Sequence, residues 1–280
     1  MLKVVKSGFF TSIQDNGRYG YRHLGVPVSG SMDQPASRLA NAMLENPEEA
    51  AVLEITMSGP VLEFTKDTWI AIAGANLSPK LNEVDIDNHS VHRIRSGDRL
   101  AFGKHIDGLR GYVAVKGGFD TPEVLKSRSF YKPITEKDHL VAGMEVPYKE
   151  VTEFEVKISH VIPSEIHKVL KLSAGPGPEF DILDDNQKEL LFNQSFTIAM
   201  ENNRMAYQLQ ETLGSHQHPM LTSATMPGTV QMTPGGKLII LMRDGQTTGG
   251  YPRILQLTED SVNKLAQKTF GDTLYFKKES

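Results

Sequence analysis

The chain has 280 residues, enough for two domains or one large one with a sizeable core. Its formal net charge of −4 offers no electrostatic footprint for nucleic acid or an anionic membrane. With no cysteine, disulfides, Fe–S clusters, zinc–thiolate sites and a cysteine nucleophile are ruled out, which fits a reducing compartment. No long apolar run opens the chain and none approaches the ~18 residues of a membrane span, so a soluble cytoplasmic protein is expected.

In chain order, the first polar concentration is Thr11-Ser12-Ile13-Gln14-Asp15-Asn16-Gly17-Arg18-Tyr19-Gly20, followed by Ser29-Gly30-Ser31-Met32-Asp33. Such loops cradle a carboxylate or phosphate through backbone N–H groups, or are simply turns, with Asp15-Asn16-Gly17 tight and Asp33 a helix cap. A helix is predicted over 33–45, with Pro35 in its first turn. Short strands are predicted at 69–73, 99–102, 112–115, 154–158, 196–200, 229–232 and 238–242, divided mostly by Gly, Pro, Asn or Asp. Further helices are predicted over 184–192, capped by Asp184 or Asp185, and over 259–268. The balance is a mainly β protein.

A duplication is visible. Ile70-Ala71-Ile72-Ala73-Gly74-Ala75-Asn76 resembles Thr197-Ile198-Ala199-Met200-Glu201-Asn202-Asn203, and Tyr112 to Gly118 resembles Ile239 to Gly245, both at an offset of 127 residues (197 − 70 and 239 − 112). Glycine-led strands after Gly97 and Gly143 align with those after Gly228 and Gly271. The expected division is an N-terminal segment, 1–60, with polar loops and one helix packing on two related β units, 61–160 and 161–280.

The second unit carries the most informative stretch. Leu238-Ile239-Ile240-Leu241-Met242 reads as a strand buried on both faces. It runs into Arg243-Asp244-Gly245-Gln246-Thr247-Thr248-Gly249-Gly250-Tyr251-Pro252, where a cation, a carboxylate, an amide and two hydroxyls precede two glycines that allow close approach. A polar loop on a rigid strand is where binding groups usually sit, although a hairpin with a Gly-Gly turn reads the same way. His216 and His218 flank Gln217 but have no nearby carboxylate or third histidine, so no metal site is assigned; His89 and His92 are read as solvated. No Gly-x-x-x-x-Gly-Lys-Ser/Thr occurs, so ATP would be held in another way or by another chain. Nor is there a lysine between two methionines, so biotin would arrive only on a partner.

Taken together, Gln14 to Gly20, Ser29 to Asp33, Ala51-Val52-Leu53-Glu54-Ile55-Thr56, Gly175-Pro176-Gly177-Pro178-Glu179, Asn203-Arg204-Met205, Pro227 to Gln231 and Gln246 to Ile254 resemble the allophanate hydrolase subunit 2 family. That family also includes KipA, the C-type component of 5-oxoprolinase and the biotin-dependent carboxyltransferase of urea amidolyase. The resemblance implies two cyclophilin-like β-barrel domains, in agreement with the repeat. It also implies two partners, a subunit-1 or KipI-type protein (the B-type component of 5-oxoprolinase) and a LamB/YcsF-type protein (the A-type component). The implied reaction is ATP-dependent opening of 5-oxoproline to L-glutamate. The alternatives are carboxyl transfer from carboxybiotin in a urea carboxylase/allophanate system, and a non-catalytic KipA-type antagonist of a KipI-like kinase inhibitor.

The chain departs from the family pattern at Phe130, in the shortened stretch through His139, and at Ser223. Opening an amide needs donors aimed at a developing oxyanion and an activated water. By residue type, Arg243, Thr247 and Thr248 are the candidate donors and Asp244 or Asp15 the base, with Gln246 beside them. Arg18 or Arg204 suits a substrate carboxylate, because a guanidinium grips one bidentately. Gln14, Gly249, Gly250 and Tyr251 complete the expected cleft, in which the N-terminal loops face the 243–252 loop.

Overall fold

The computed structural model describes residues 1–162 and 169–279. Two compact units result: Met1–Arg18 with Ser29–Ile166, and Tyr19–Val28 with His167–Ser280. The first sixty residues are therefore not a separate layer on the barrels. Their strands are paired into the sheets of the first unit, and residues 19–28 belong to the second.

The first unit holds β1 (Leu2–Lys6), β2 (Phe10–Gln14), β3 (Val52–Thr56), β4 (Val61–Phe64), β5 (Thr68–Asn76), β6 (Pro79–Leu81), β7 (Val84–Asp85), β8 (Val91–Ile94), β9 (Arg99–Phe102), β10 (Asp107–Val115) and β11 (Glu145–Val146). Hydrogen bonding sorts them into two sheets, β11-β1-β4-β9-β6-β7 and β2-β3-β10-β5-β8. The central strands β5 and β10 are buried on both faces because alternate residues serve different neighbours. Ile70, Ile72, Val113 and Val115 enter the core with Leu2, Leu53, Leu62 and Phe64, while Ala71, Ala73 and Ala114 turn the other way. Those small side chains let α1 (Gln34–Met43) approach, and Ala40, Met43 and Leu44 pack on them. As predicted, Asp33 caps this helix, accepting from Ala36 N at 3.1 Å, with Pro35 in the first turn.

The segment 154–158, predicted as a strand, is irregular. Its apolar spacing has another cause: Phe154 packs edge-on against Trp69 at 5.9 Å and receives the Lys116 ammonium on its face at 4.4 Å.

In the second unit β12 (Val169–Pro176), β13 (Phe196–Asn202), β14 (Ala206–Thr212), β15 (Ser223–Ala224), β16 (Thr229–Met232), β17 (Lys237–Leu241), β18 (Thr248–Gly249), β19 (Arg253–Leu257) and β20 (Thr273–Lys278) follow. Seven of them close a barrel in the order β12-β19-β16-β17-β14-β13-β20, sealed by the parallel pair β12·β20. Closure removes the sheet edges that an open sheet would expose. Leu172, Phe196, Ile198, Leu209, Val230, Ile240, Leu274 and Phe276 are among its buried residues, with Phe196 and Phe276 in edge-to-face contact at 5.3 Å. α2 (Asp185–Asn193) opens on a reciprocal capping box between Asp184 and Gln187, and α3 (Glu259–Leu265) on Thr258.

Both members of each repeat anchor lie on strands, but the pairing differs. In the first unit Ile70 to Ala73 pairs directly with Tyr112 to Val115, whereas β14 stands between β13 and β17 in the second. The offset of 127 residues thus aligns strands without aligning their neighbours. Within the described residues, only the second unit closes by hydrogen bonding.

Candidate functional site

The strand β17 behaves as its sequence dictates: Leu238, Ile240, Leu241 and Met242 are buried, and the chain turns at Met242 to Gly245. The first two polar residues beyond it are structural. Arg243 is 2% exposed; its Nη2 donates to Asn263 Oδ1 at 2.8 Å and to Glu259, tying the strand end to α3. Asp244 accepts from Arg204 Nε at 2.8 Å and Nη2 at 3.2 Å, a fork-on-fork pair in which each side chain is about nine-tenths buried. Of the expected site residues, Arg243 thus has partners on α3, and Asp244 and Arg204 have each other.

Beyond Gly245 the loop rises to the surface, with Gln246, Thr248, Gly250 and Tyr251 exposed and Thr247 half-buried. It is not slack. Thr248–Gly249 pairs with Ser223–Ala224; Thr225 N donates to Thr247 O at 3.0 Å and Thr225 Oγ1 to Gln246 O at 2.5 Å. Beneath it lies Gln231, 1% exposed, whose Nε2 donates to Tyr251 O at 3.2 Å and whose Oε1 accepts from Gln246 Nε2 at 3.4 Å. A Cβ on Gly249 would overlap the Gln231 amide, so this glycine serves the protein's own interior rather than a ligand. Gly250 does have open space beside it.

Two further arginines hold the rim. Glu179 accepts from Arg253 N at 2.9 Å, Nε at 2.8 Å and Nη2 at 2.6 Å, while Arg253 Nη1 donates to Ala224 O at 2.6 Å. Those hydrogen bonds hold the Glu179 carboxyl below its ordinary pKa and Arg253 above its own. Gly177 is required here because any side chain would meet the Arg253 carbonyl. The expected Gly-Pro-Gly-Pro-Glu and Gln-Thr-Thr-Gly-Gly-Tyr-Pro-Arg motifs are therefore two sides of one clamp. Arg22, on the 22–24 turn, donates through Nη2 to Thr225 O. Gln231 and Glu179 entered the sequence reading only within family motifs and Arg22 not at all, since nothing local marks a buried amide or a turn arginine as belonging to a distant loop.

Gln14, Asp15 and Arg18 lie in the first unit, whereas the 243–252 loop belongs to the second. Gln14 is fully buried and donates to Ser12 Oγ and Phe130 O. Arg18, also fully buried, donates to Val124 O and Ser129 O. The Asp15 carboxylate is filled by Gly17 N, Ser127 Oγ, Arg128 N and Ser129 Oγ, at 2.6–2.8 Å. These three pin the 124–130 turn to the N-terminal loop. Glu54, likewise, accepts from Met32 N and the Tyr112 hydroxyl, whose pKa burial raises well above its usual value. A pocket of about 330 Å³ opens beside Asn16, Gly117, Gly118, Glu123, Lys126 and Lys149. Leu125 and Lys126 both have positive φ (52° and 60°) there, a costly turn for non-glycine residues. Among the described residues, no group of three or more His, Asp or Glu is placed to hold a metal.

What the second unit offers chemically is a shelf of neutral donors and acceptors, an amide, two hydroxyls and a phenol, on a base fixed by buried polar contacts. Such a shelf suits a polar, uncharged carbonyl or amide group. None of the helices among the described residues is long and apolar enough to cross a membrane.

Over 99% of its length the chain is 33% identical to the C-type component of 5-oxoprolinase from Escherichia coli, covering 90% of that protein. Among solved structures, TTHA0988 superposes with a TM-score of 0.89 at 27% identity over 99% of the chain, which spans 55% of TTHA0988. The Kluyveromyces lactis urea amidolyase superposes with a TM-score of 0.88 at 29% identity over the whole chain, which spans 19% of that enzyme. Residues 24–278 match the model of the carboxyltransferase domain, subdomain A and B, and the chain belongs to that family.

Proposed function

We propose that this chain is the C-type component of an ATP-dependent 5-oxoprolinase, opening 5-oxoproline to L-glutamate together with partners of the A and B types. The likeness that carries the reading is the 33% identity to the Escherichia coli protein over nearly the full length of both chains. Urea amidolyase from Kluyveromyces lactis matches the whole chain too, at a lower 29% identity. In the reaction the ring C–N bond breaks, the lactam nitrogen takes a proton, and oxygen from water enters the new carboxylate while ATP becomes ADP and phosphate. Gln246, Thr247, Thr248 and Tyr251 are the groups of this chain that would hold the lactam and steady negative charge on its carbonyl oxygen.

ATP is assigned to a partner. The chain has no glycine-rich phosphate loop, and the pocket of the first unit sets Glu49 and Glu123 beside Lys126 and Lys149, a poor match for a polyphosphate. Biotin would likewise enter only on another chain, and no step is routed through either group here.

The test is co-expression with the A- and B-type proteins. A complex that co-elutes on size exclusion at micromolar concentration and releases ADP on addition of 5-oxoproline, but not urea, is expected. Separate elution, or ADP release that responds to urea instead, contradicts the reading.

A further inference from the structure

Gln231 and Gln246 together fix a chemical polarity that neither has alone. Gln231 is 1% exposed, and its amide stands between two parts of the exposed loop. Tyr251 O lies 3.2 Å from Nε2 and, being a carbonyl, only accepts; the amide nitrogen must therefore face it, and Oε1 must face the other way. Gly249 closes over this amide so tightly that a Cβ there would lie 2.4 Å from Nε2. On the other side Oε1 meets the Gln246 amide at 3.4 Å, and the atom an oxygen tolerates there is the nitrogen. One N–H of Gln246 is thus spent inward.

Gln246 keeps its second N–H and its carbonyl Oε1, which accepts no hydrogen bond among the described residues. Both are reachable. The side chain is exposed, its main chain is pinned by Thr225 Oγ1 on Gln246 O at 2.5 Å, and the space beside Gly250 is open. A donor and an acceptor on one planar group complement an amide whose own N–H and C=O lie on the same side of the C–N bond. An open-chain secondary amide is trans and holds them on opposite sides, whereas a small lactam ring forces the cis form. We infer that Gln246 reads the lactam edge of the substrate, Oε1 accepting the ring N–H and the free N–H donating to the ring carbonyl, and that Gln231 is the positioning residue that sets this polarity. The inference rests on the 5-oxoprolinase reading for the identity of the lactam. The same acceptor suits the product, because the nitrogen gains protons as the ring C–N bond breaks.

The experiment compares two ligands on the complex with the A- and B-type partners, loaded with a non-hydrolysable ATP analogue. One is 5-oxoproline; the other is the γ-lactone of the same shape, in which a ring oxygen replaces the N–H. Calorimetry reads the ratio of their dissociation constants. A lost hydrogen bond that leaves two acceptors face to face weakens binding by roughly 10- to 100-fold, so the wild type should prefer the lactam by that factor. Gln246→Ala, at an exposed position, should fold normally and bring the two ligands to within about threefold of each other. Gln231→Leu should lower the ratio part of the way, because the Gln246 amide is then free to turn over; a residue that served stability alone would leave the ratio unchanged, and that result strikes the positioning role. A wild-type ratio within about threefold, a preference that survives Gln246→Ala, or no binding of the lactam overturns the assignment. A complex that prefers the lactam through Gln246 yet forms no glutamate with ATP keeps the lactam edge and overturns the 5-oxoprolinase reading instead.

Discussion

Residue chemistry on the 243–253 loop divides into groups that are spent on the protein and groups that are not. Thr248 is of the second kind, exposed and with its hydroxyl facing no interior demand. Thr248→Val nearly preserves volume, so thermal stability should hold. Activity of the assembled enzyme should fall by roughly 10²–10³ if the hydroxyl steadies an oxyanion; a change of only a few-fold would remove Thr248 from the reaction. Glu179 is of the first kind. Its folded pKa lies below the ordinary 4.5 because of Arg253, so the ion pair stabilises the fold above that value and is lost as pH falls through the lowered one. In urea titrations, wild type should exceed Glu179→Gln in stability at pH 7, and the gap should close below pH 4.5. A gap independent of pH would show that the ion pair contributes nothing. Sequence identified the loop correctly as the polar end of a buried strand, yet ranked Arg243 and Asp244 with Thr248. Residue type alone does not say whether a charge is already answered, and the partners Glu259 and Arg204 lie 16 and 40 residues away.

At the level of elements, the clearest device is the seat of β18 on Gln231. Gly249→Ala forces a methyl into the space of a buried amide, an overpacking that typically costs about 1–3 kcal/mol. Replacing Gln231 by Ala in the same chain should relieve part of that cost. The double variant should therefore be more stable than the sum of the single losses implies, as measured by denaturant midpoints. Strict additivity would mean the two do not meet. The helices and most central strands were legible because their signals are local: Asp33 and Asp184 as caps, Pro35 in the first turn, alternation in 69–73 and 112–115. The segment 154–158 misled because the alternation of Phe154, Val156 and Ile158 reflects packing of an irregular strap, at Phe154 against Trp69, rather than strand pairing. Strand neighbours were not legible either. Which strand stands beside which is set by crossovers, so β14 entered between β13 and β17 although the aligned segments match residue for residue in position.

At the scale of the whole molecule, one closed barrel carries an exposed run of neutral polar side chains, Gln246 to Tyr251, and the proposed function has it work beside partners that bring the nucleotide. Three residues expected at the site from the first unit, Gln14, Asp15 and Arg18, also hold its loops together, and Glu54, from a family motif, binds Met32 N and the Tyr112 hydroxyl. The most direct test of the central claim is L-glutamate formed per ADP released from 5-oxoproline by the A- and B-type partners with and without this chain. The expected result is about one glutamate per ADP, as the overall reaction dictates, with glutamate formation lost when the chain is omitted. Glutamate production that proceeds equally well without it, or ADP release with no glutamate when it is present, would contradict the account.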